Sequence, residues 1–318
     1  VQGRDLPLSE KRVEGYRNFV SKLWNAARFL RMSLENAPTP APAPSMADRW
    51  IESRLHATIE AVRTGIEAMK FNEAADALYR FVWNEYCDWY LEMQKVTPNP
   101  AFALRVFETT LRLLHPFCPF VTEELWSHLP AQKTAPFLML EAFPKALERT
   151  PAMREAEEEF AALQSAVEKI RQFRSENKVA PSKKIQNAQY RHAGDPRKDP
   201  TYQALHQQEA YLKSLSGIVN LHGTDAPNVA GLEGTWIPLG DHLSLGLSWE
   251  GLIDRTAEIE RIEKLLEQER KNITFLEERA QKYNEKTPPQ LREKDAEKLR
   301  SAKLLVEKYE RELATLRA

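Results

Sequence analysis

Cysteine is nearly absent from this chain. Among 318 residues only Cys87 and Cys118 carry a thiol, far apart and each in an apolar helical context. No Cys-x-x-Cys occurs, which argues against a zinc knuckle and reads both thiols as small buried hydrophobes. Long hydrophobic runs are missing too. None reaches the roughly 18 residues of a membrane span, and no signal-peptide pattern opens the chain. The expectation is a cytoplasmic, monomeric protein with no membrane partner. There is no Gly-x-x-x-x-Gly-Lys loop, no Gly-x-Gly-x-x-Gly and no His-Glu-x-x-His. With seven scattered histidines, neither a catalytic constellation nor a metal or cofactor site is expected. His115 and His128 read as core or surface residues rather than ligands. Net charge is -1, so no global basic field announces nucleic acid, and any such surface must be a local patch. The first residue is Val1, not Met, from which the chain is expected to begin partway through a longer protein.

What is present is amphipathic helix. A length of 318 residues with 29% charged and 42% hydrophobic side chains suits about two or three globular domains. The expected fold class is mainly α: an antiparallel helical bundle over 1–148, a small α+β domain over 149–251 and a coiled-coil hairpin over 252–318. The first helix is opened by Ser9 as N-cap and runs to about Asn36. The alternating prolines from Pro38 to Pro44 form a stiff extended connector. Helices then follow from Ser45 or Asp48 to about Met69, from about Asn72 to Val96, and from about Ala101 to Leu114. A short one begins at Thr122-x-x-Leu125. The third, with Leu78, Phe81, Val82, Trp83, Tyr86, Trp89 and Tyr90, is apolar around most of its girth and belongs inside a bundle.

A long helix from about Ala152 to Ala180 leads into strand-like stretches at 185–191, 218–222, 235–239 and 243–248, with a helix over 200–214 between the first two. From Leu252 the pattern turns heptad: Leu252, Ile259, Leu266, Ile273 and Ala280, interleaved with Ile262, Leu276 and Tyr283. After Pro288-Pro289, 3-4 spacing resumes with Leu299, Ala302, Val306, Tyr309, Leu313 and Leu316. Two such arms make an antiparallel hairpin of roughly 45 Å.

The first helix carries two stripes. Tyr16, Val20, Leu23, Ala27, Leu30 and Leu34 recur at 4-3-4-3-4 spacing and form the core face. Lys11, Asn18, Lys22, Asn25 and Phe29 recur on nearly the opposite side. A lone aromatic among amides and ammonium groups suits stacking of a flat base and neutralisation of phosphate. Packing of Phe29 on a neighbouring helix is the alternative. A third edge, Arg17, Trp24, Arg28 and Arg31, is either cation–π packing or a phosphate track. On the third helix Leu91 and Glu92 stand at the open end of the bundle, where a carboxylate can accept from a base amino group. Arg171, Arg174 and Lys178 lie in the most basic stretch, and Arg279, Lys282, Lys286 and Arg292 gather at the hairpin tip. Both are either solvated charge or RNA-backbone contacts.

Several strings carry a family resemblance. They are Tyr16-Arg17-Asn18-Phe19, the run Lys22 to Phe29, the run Trp83 to Glu92, and His115-Pro116-Phe117 through Val121-Thr122-Glu123-Glu124-Leu125-Trp126. With Gly251-Leu252-Ile253-Asp254 leading into a hairpin, the chain resembles the C-terminal half of bacterial valyl-tRNA synthetases. The resemblance implies a bundle that binds the anticodon stem and loop of valine tRNA. Phe29 would stack on a base, Lys22, Asn25, Leu91 and Glu92 would line the pocket, Arg28 would also bind the anticodon, and Lys11 or Arg12 would meet the backbone. The hairpin would touch the outer corner of the tRNA. The parent enzyme charges tRNA with valine using ATP and Mg. Its nucleotide-site motifs and editing domain do not occur here, so no aminoacylation is expected of this chain alone, and the missing catalytic domain is an expected partner. The alternatives are a structural docking module and the anticodon domain of an isoleucyl-type enzyme.

Overall fold

The structure is a computed structural model that describes residues 9–130, 133–224, 232, 235–250, 252, 255–281, 283 and 289–317. Helix α1 spans Glu10–Glu35 and α2 spans Met46–Glu67. Ser45 starts α2 with a full capping box: its hydroxyl accepts from Asp48 N, and its backbone N–H donates to Asp48 Oδ2. Ser9 occupies the N-cap of α1 but makes no side-chain cap bond.

The next helix, α3, is continuous but changes character midway. Phe71–Arg80 is α-helical, Phe81–Tyr90 is π-helical, and Leu91–Met93 returns to α. A π run sets hydrogen bonds to the fifth residue rather than the fourth, so side chains rotate out of the 3.6 period. The aromatic-rich helix expected from the sequence is therefore present, and its faces are not those that α spacing assigns. Phe81, Val82, Tyr86, Trp89 and Tyr90 are buried, and the Tyr86 hydroxyl donates to Ala103 O at 2.9 Å.

Helix α4 is Pro100–Leu114, capped by the Asn99 side chain. Helix α5 is Pro119–His128. It begins three residues before the expected start at Thr122, because Pro119 fits the first helical position, where no N–H is needed. Thr122 is not a cap: its hydroxyl donates to Cys118 O at 2.8 Å and lies 2.8 Å from His115 Nδ1.

The long helix α6, Pro151–Glu176, ends in a left-handed Lys178 at φ 51. Val179 N bonds Arg174 O at 2.8 Å and Lys178 N bonds Ser175 O at 3.2 Å, the paired closure of a Schellman motif. The helix expected over 200–214 is two, α7 at Pro200–Gln207 and α8 at Glu209–Ser216. Strands β1 (Ile185–His192), β2 (Ile218–His222), β3 (Trp236–Pro238) and β4 (Leu243–Leu247) form one sheet in the order β2-β1-β4-β3. β1 and β2 are parallel, and β3 and β4 antiparallel. The hairpin arms are α9 (Arg255–Gln281) and α10 (Pro289–Arg317).

The chain divides into two compact units, 1–171 with 193–216 and 239–243, and 172–192 with 217–238 and 244–318. In the first, the bundle core is aromatic. Trp50 stacks on Phe160 of α6 at 3.7 Å between ring centroids, and Trp89 meets Phe160 edge-on at 5.3 Å. In α1 the buried face is Phe19, Leu23, Ala26, Ala27 and Leu30, whereas Tyr16 is 68% exposed. The expected core stripe thus holds from Leu23 to Leu30, with Val20 and Leu34 half-buried, and at its start Phe19 replaces Tyr16 by stacking on Tyr79 at 5.3 Å.

In the second unit, Ile262, Leu266 and Leu313 form the hairpin seam with Ile259, Val306 and Tyr309 packed against them. Leu276 and Ala302 are buried as the heptads require, but Ala280 is exposed. Arg270–Glu310 (2.7 Å) and Lys303–Glu277 (2.9 Å) tie the arms across the seam.

Candidate nucleic-acid interface

Between α1 and the C-terminal end of α3 lies an open cavity of about 450 Å³. Helix α1 supplies Asn18, Ser21, Lys22, Asn25, Ala26 and Phe29. The facing wall is Cys87, Leu91, Glu92 and Lys95. Phe29 is half-buried, so its ring is neither sealed in the core nor fully in water. The chemistry of the lining is mixed in a way that fits a flat polar ring. Phe29, Leu91 and Ala26 offer apolar faces, Asn18 and Asn25 offer amides that both donate and accept, and Glu92 offers a pure acceptor.

The cations are held rather than loose. The Lys22 ammonium donates to Asp88 and sits 3.9 Å from the centroid of the Trp83 ring. Asp88 and Trp83 both belong to the π run, so the altered helix phase is what brings an acid and an indole face to the same lysine. Lys95 pairs with Glu92 at 2.6 Å. The Cys87 thiol is half-buried rather than fully buried, and burial pushes its pKa up to about 12, so it lines the cavity as a neutral thiol. Cys118 is likewise half-buried.

Of the residues singled out from the sequence, Lys22, Asn25, Phe29, Leu91 and Glu92 meet in this one cavity. Arg28 does not. It lies on the other flank of α1, in a second hollow with Trp24 and Arg31. Lys11 and Arg12 lie on the first turns of α1, and their side chains fall outside the described residues. Asp88, Trp83 and Cys87 join the site only in the structure, whereas Lys95 shares with Leu91 the less aromatic edge of the third helix that the sequence shows. Cys87 and Lys95 each stand four residues from Leu91, a signal that was available. The Lys22–Asp88 pair bridges a separation of 66 residues, which no local spacing reveals.

The other basic residues are placed variously. The Arg171 guanidinium is 5.0 Å from the centroid of the Trp89 ring. Arg174 donates to the carbonyls of Ala180, Pro181 and Lys183, at 2.6 Å for the last, so it fastens the loop after α6. Lys178 is exposed on its left-handed turn. At the hairpin, Arg279 pairs with the buried Asp295 at 3.2 Å, and Arg292 is exposed but engaged within the protein. Lys282 and Lys286 lie outside the described residues. Among the described residues no group of three or more His, Cys, Asp or Glu side chains could hold a metal ion, and no helix is long and apolar enough to cross a membrane.

Residues 48–189 match the family described as the anticodon-binding domain of tRNA ligase. The valine–tRNA ligase of Neisseria meningitidis serogroup B is 36% identical across 99% of this chain and 34% of its own length. That of Geobacter sulfurreducens is 40% identical across 70% of this chain and 26% of its own length. That of Syntrophotalea carbinolica is 34% identical across 95% of this chain and 35% of its own length. The chain therefore spans between a quarter and about a third of these relatives.

Proposed function

The chain is homologous to the anticodon-binding region of bacterial valine–tRNA ligases, and from that premise we propose that the cavity between α1 and α3 takes an unpaired anticodon base of valine tRNA. The observation that carries this reading is the convergence of Phe29, Asn25, Lys22, Leu91 and Glu92 on one open cavity of about 450 Å³. Phe29 stacks on the base face, and Leu91 covers its far side. Asn25 and Glu92 meet its polar edge, where an amide can match either a donor or an acceptor and a carboxylate demands an amino group. Lys22 is kept upright by Asp88 and Trp83 and supplies positive charge beside the incoming phosphate.

The backbone of the same RNA is met by Arg171 and Lys178, and the corner of the tRNA by the tip of the α9–α10 hairpin through Lys282, Lys286 and Arg292. Charging with valine, with the ATP and Mg it uses, is assigned in this reading to a catalytic domain outside this chain. No aminoacylation is expected from this chain alone. A second reading, docking on the rest of the polypeptide, draws on Phe120 of α5, which is 91% exposed, and on the exposed Phe137 and Met139. A gel shift with valine tRNA beside the same tRNA carrying a foreign anticodon separates the two. Anticodon reading predicts loss of affinity on the swap. Equal affinity for both would leave docking as the better account.

A further inference from the structure

The four-stranded sheet has two unlike faces. Side chains alternate along β1, and Ser248 N bonds Asn187 O at 2.8 Å, which sets Leu247 of β4 beside Ala188. On that side Ala188, Tyr190, Leu245 and Leu247 are all buried. The other side is polar. Asn187 is in register with Asn220 of β2; its Oδ1 accepts from Asn220 Nδ2 at 3.2 Å and lies 3.5 Å from His222 Nε2. Four residues further along β1, the Arg191 guanidinium lies over the Trp236 ring of β3, 3.7 Å from its centroid. Gly246, paired with Trp236 in register, makes room for that ring. A Cβ there would come within 2.9, 3.0 and 3.1 Å of three of its atoms. Glycine, indole and guanidinium are thus layered outward from the sheet. The outermost layer, Arg191, is exposed, as is Asn220. None of the four strands carries an aspartate or glutamate. The face therefore offers amides, an imidazole and one planar cation, with no strand carboxylate to repel a phosphate.

We infer that this face is a second RNA site, in the other compact unit from the base cavity, and that it takes a short unpaired stretch of the tRNA. One base stacks on the outer plane of Arg191, which the indole beneath holds flat. The next nucleotide meets Asn220 and His222 through its base edge or its 2′-hydroxyl, which amide and imidazole can match as donor or acceptor. Asn187 and Arg191 stand about 13 Å apart along β1, so the span calls for a strand rather than a free nucleotide. The inference takes tRNA as the ligand and makes no use of the cavity between α1 and α3.

Filter binding of the whole chain to a valine tRNA transcript tests it, with Arg191→Gln, Arg191→Lys and Asn220→Ala. Both positions are exposed, and a circular dichroism melt checks that each variant is folded. Arg191→Gln is expected to bind about tenfold more weakly, and Asn220→Ala about threefold. Arg191→Lys keeps the charge but not the plane, and loses nearly as much as Arg191→Gln. Combining Arg191→Gln with Phe29→Ala multiplies the two losses, as separate sites require. Full affinity in both Arg191→Gln and Asn220→Ala would overturn the inference, leave the face to a protein partner and leave the base cavity untouched. Full affinity in Arg191→Lys would overturn the stacked base and reduce the contact to charge. Full affinity in Phe29→Ala beside a loss in Arg191→Gln would remove the base cavity and leave the sheet site standing.

Discussion

The Tyr90 hydroxyl donates to Asp48 Oδ1 across 2.7 Å, with both residues fully buried. The same carboxylate also accepts from Ser45 N at 2.9 Å, Gln94 Nε2 at 3.1 Å and Asn99 Nδ2 at 3.1 Å. One carboxylate thus caps α2, anchors the end of α3 and fixes the turn into α4. That places Leu91 and Glu92 on a braced backbone, because they lie between Tyr90 and Gln94.

Tyr90→Phe is expected to lower stability by about 1.5–3 kcal/mol, the cost of one hydrogen bond to a charged group. Asp48→Ala costs more, since it strands three buried donors at once. Urea unfolding measures both. A Tyr90→Phe change under about 0.5 kcal/mol would show that the carboxylate does not brace the bundle.

His56 is expected to make the stability of the bundle depend on pH. His56 Nδ1 accepts from Leu147 N at 3.3 Å, and burial holds its pKa below the ordinary 6.5, with Arg105 adding to the effect and Glu52 opposing it. A depressed histidine favours the folded state while neutral. Its contribution is present above 6.5 and is lost as pH falls from there through the folded-state value. His56→Phe removes that part of the pH slope in unfolding titrations; an unchanged slope would assign it to other groups.

Lys178 sits at φ 51, where glycine is the ordinary occupant. Lys178→Gly is expected to stabilise the fold by about 1 kcal/mol and to weaken tRNA binding. A thermal melt reads the first and a titration the second. A gain in stability with undiminished affinity would remove Lys178 from the RNA surface.

The hairpin is held by a narrow seam. Ile262 is 2% exposed, and Ile262→Ala is expected to cost about 2 kcal/mol or more. The loss appears in circular dichroism as an earlier helix melt. An unmoved melt would mean that the two arms hold together without this seam.

Much of this was legible in the sequence wherever burial follows a simple period. The outward stripe of α1 led to Lys22, Asn25 and Phe29, and the heptads led to Ile262, Leu266 and Leu313. What stayed hidden depends on partners far along the chain or on a change of helical phase. Leu91 and Glu92 were placed by their position at the end of α3. The π run that brings Trp83 and Asp88, five residues apart, to the same lysine has no signature at 3.6 spacing. The acid that holds Lys22 is invisible to local spacing, because Asp88 lies 66 residues away. For Arg174 and Arg279 the sequence leaves solvated charge and RNA-backbone contact open, and charge runs do not disclose the carbonyl cluster or the buried Asp295 that engage them.

The claim beneath all of this is that Phe29 stacks on an unpaired base. Filter-binding titration of the parent chain and Phe29→Ala against valine tRNA tests it directly. The account predicts a loss of about 1–3 kcal/mol for Phe29→Ala, and equal affinities for the two chains would contradict it.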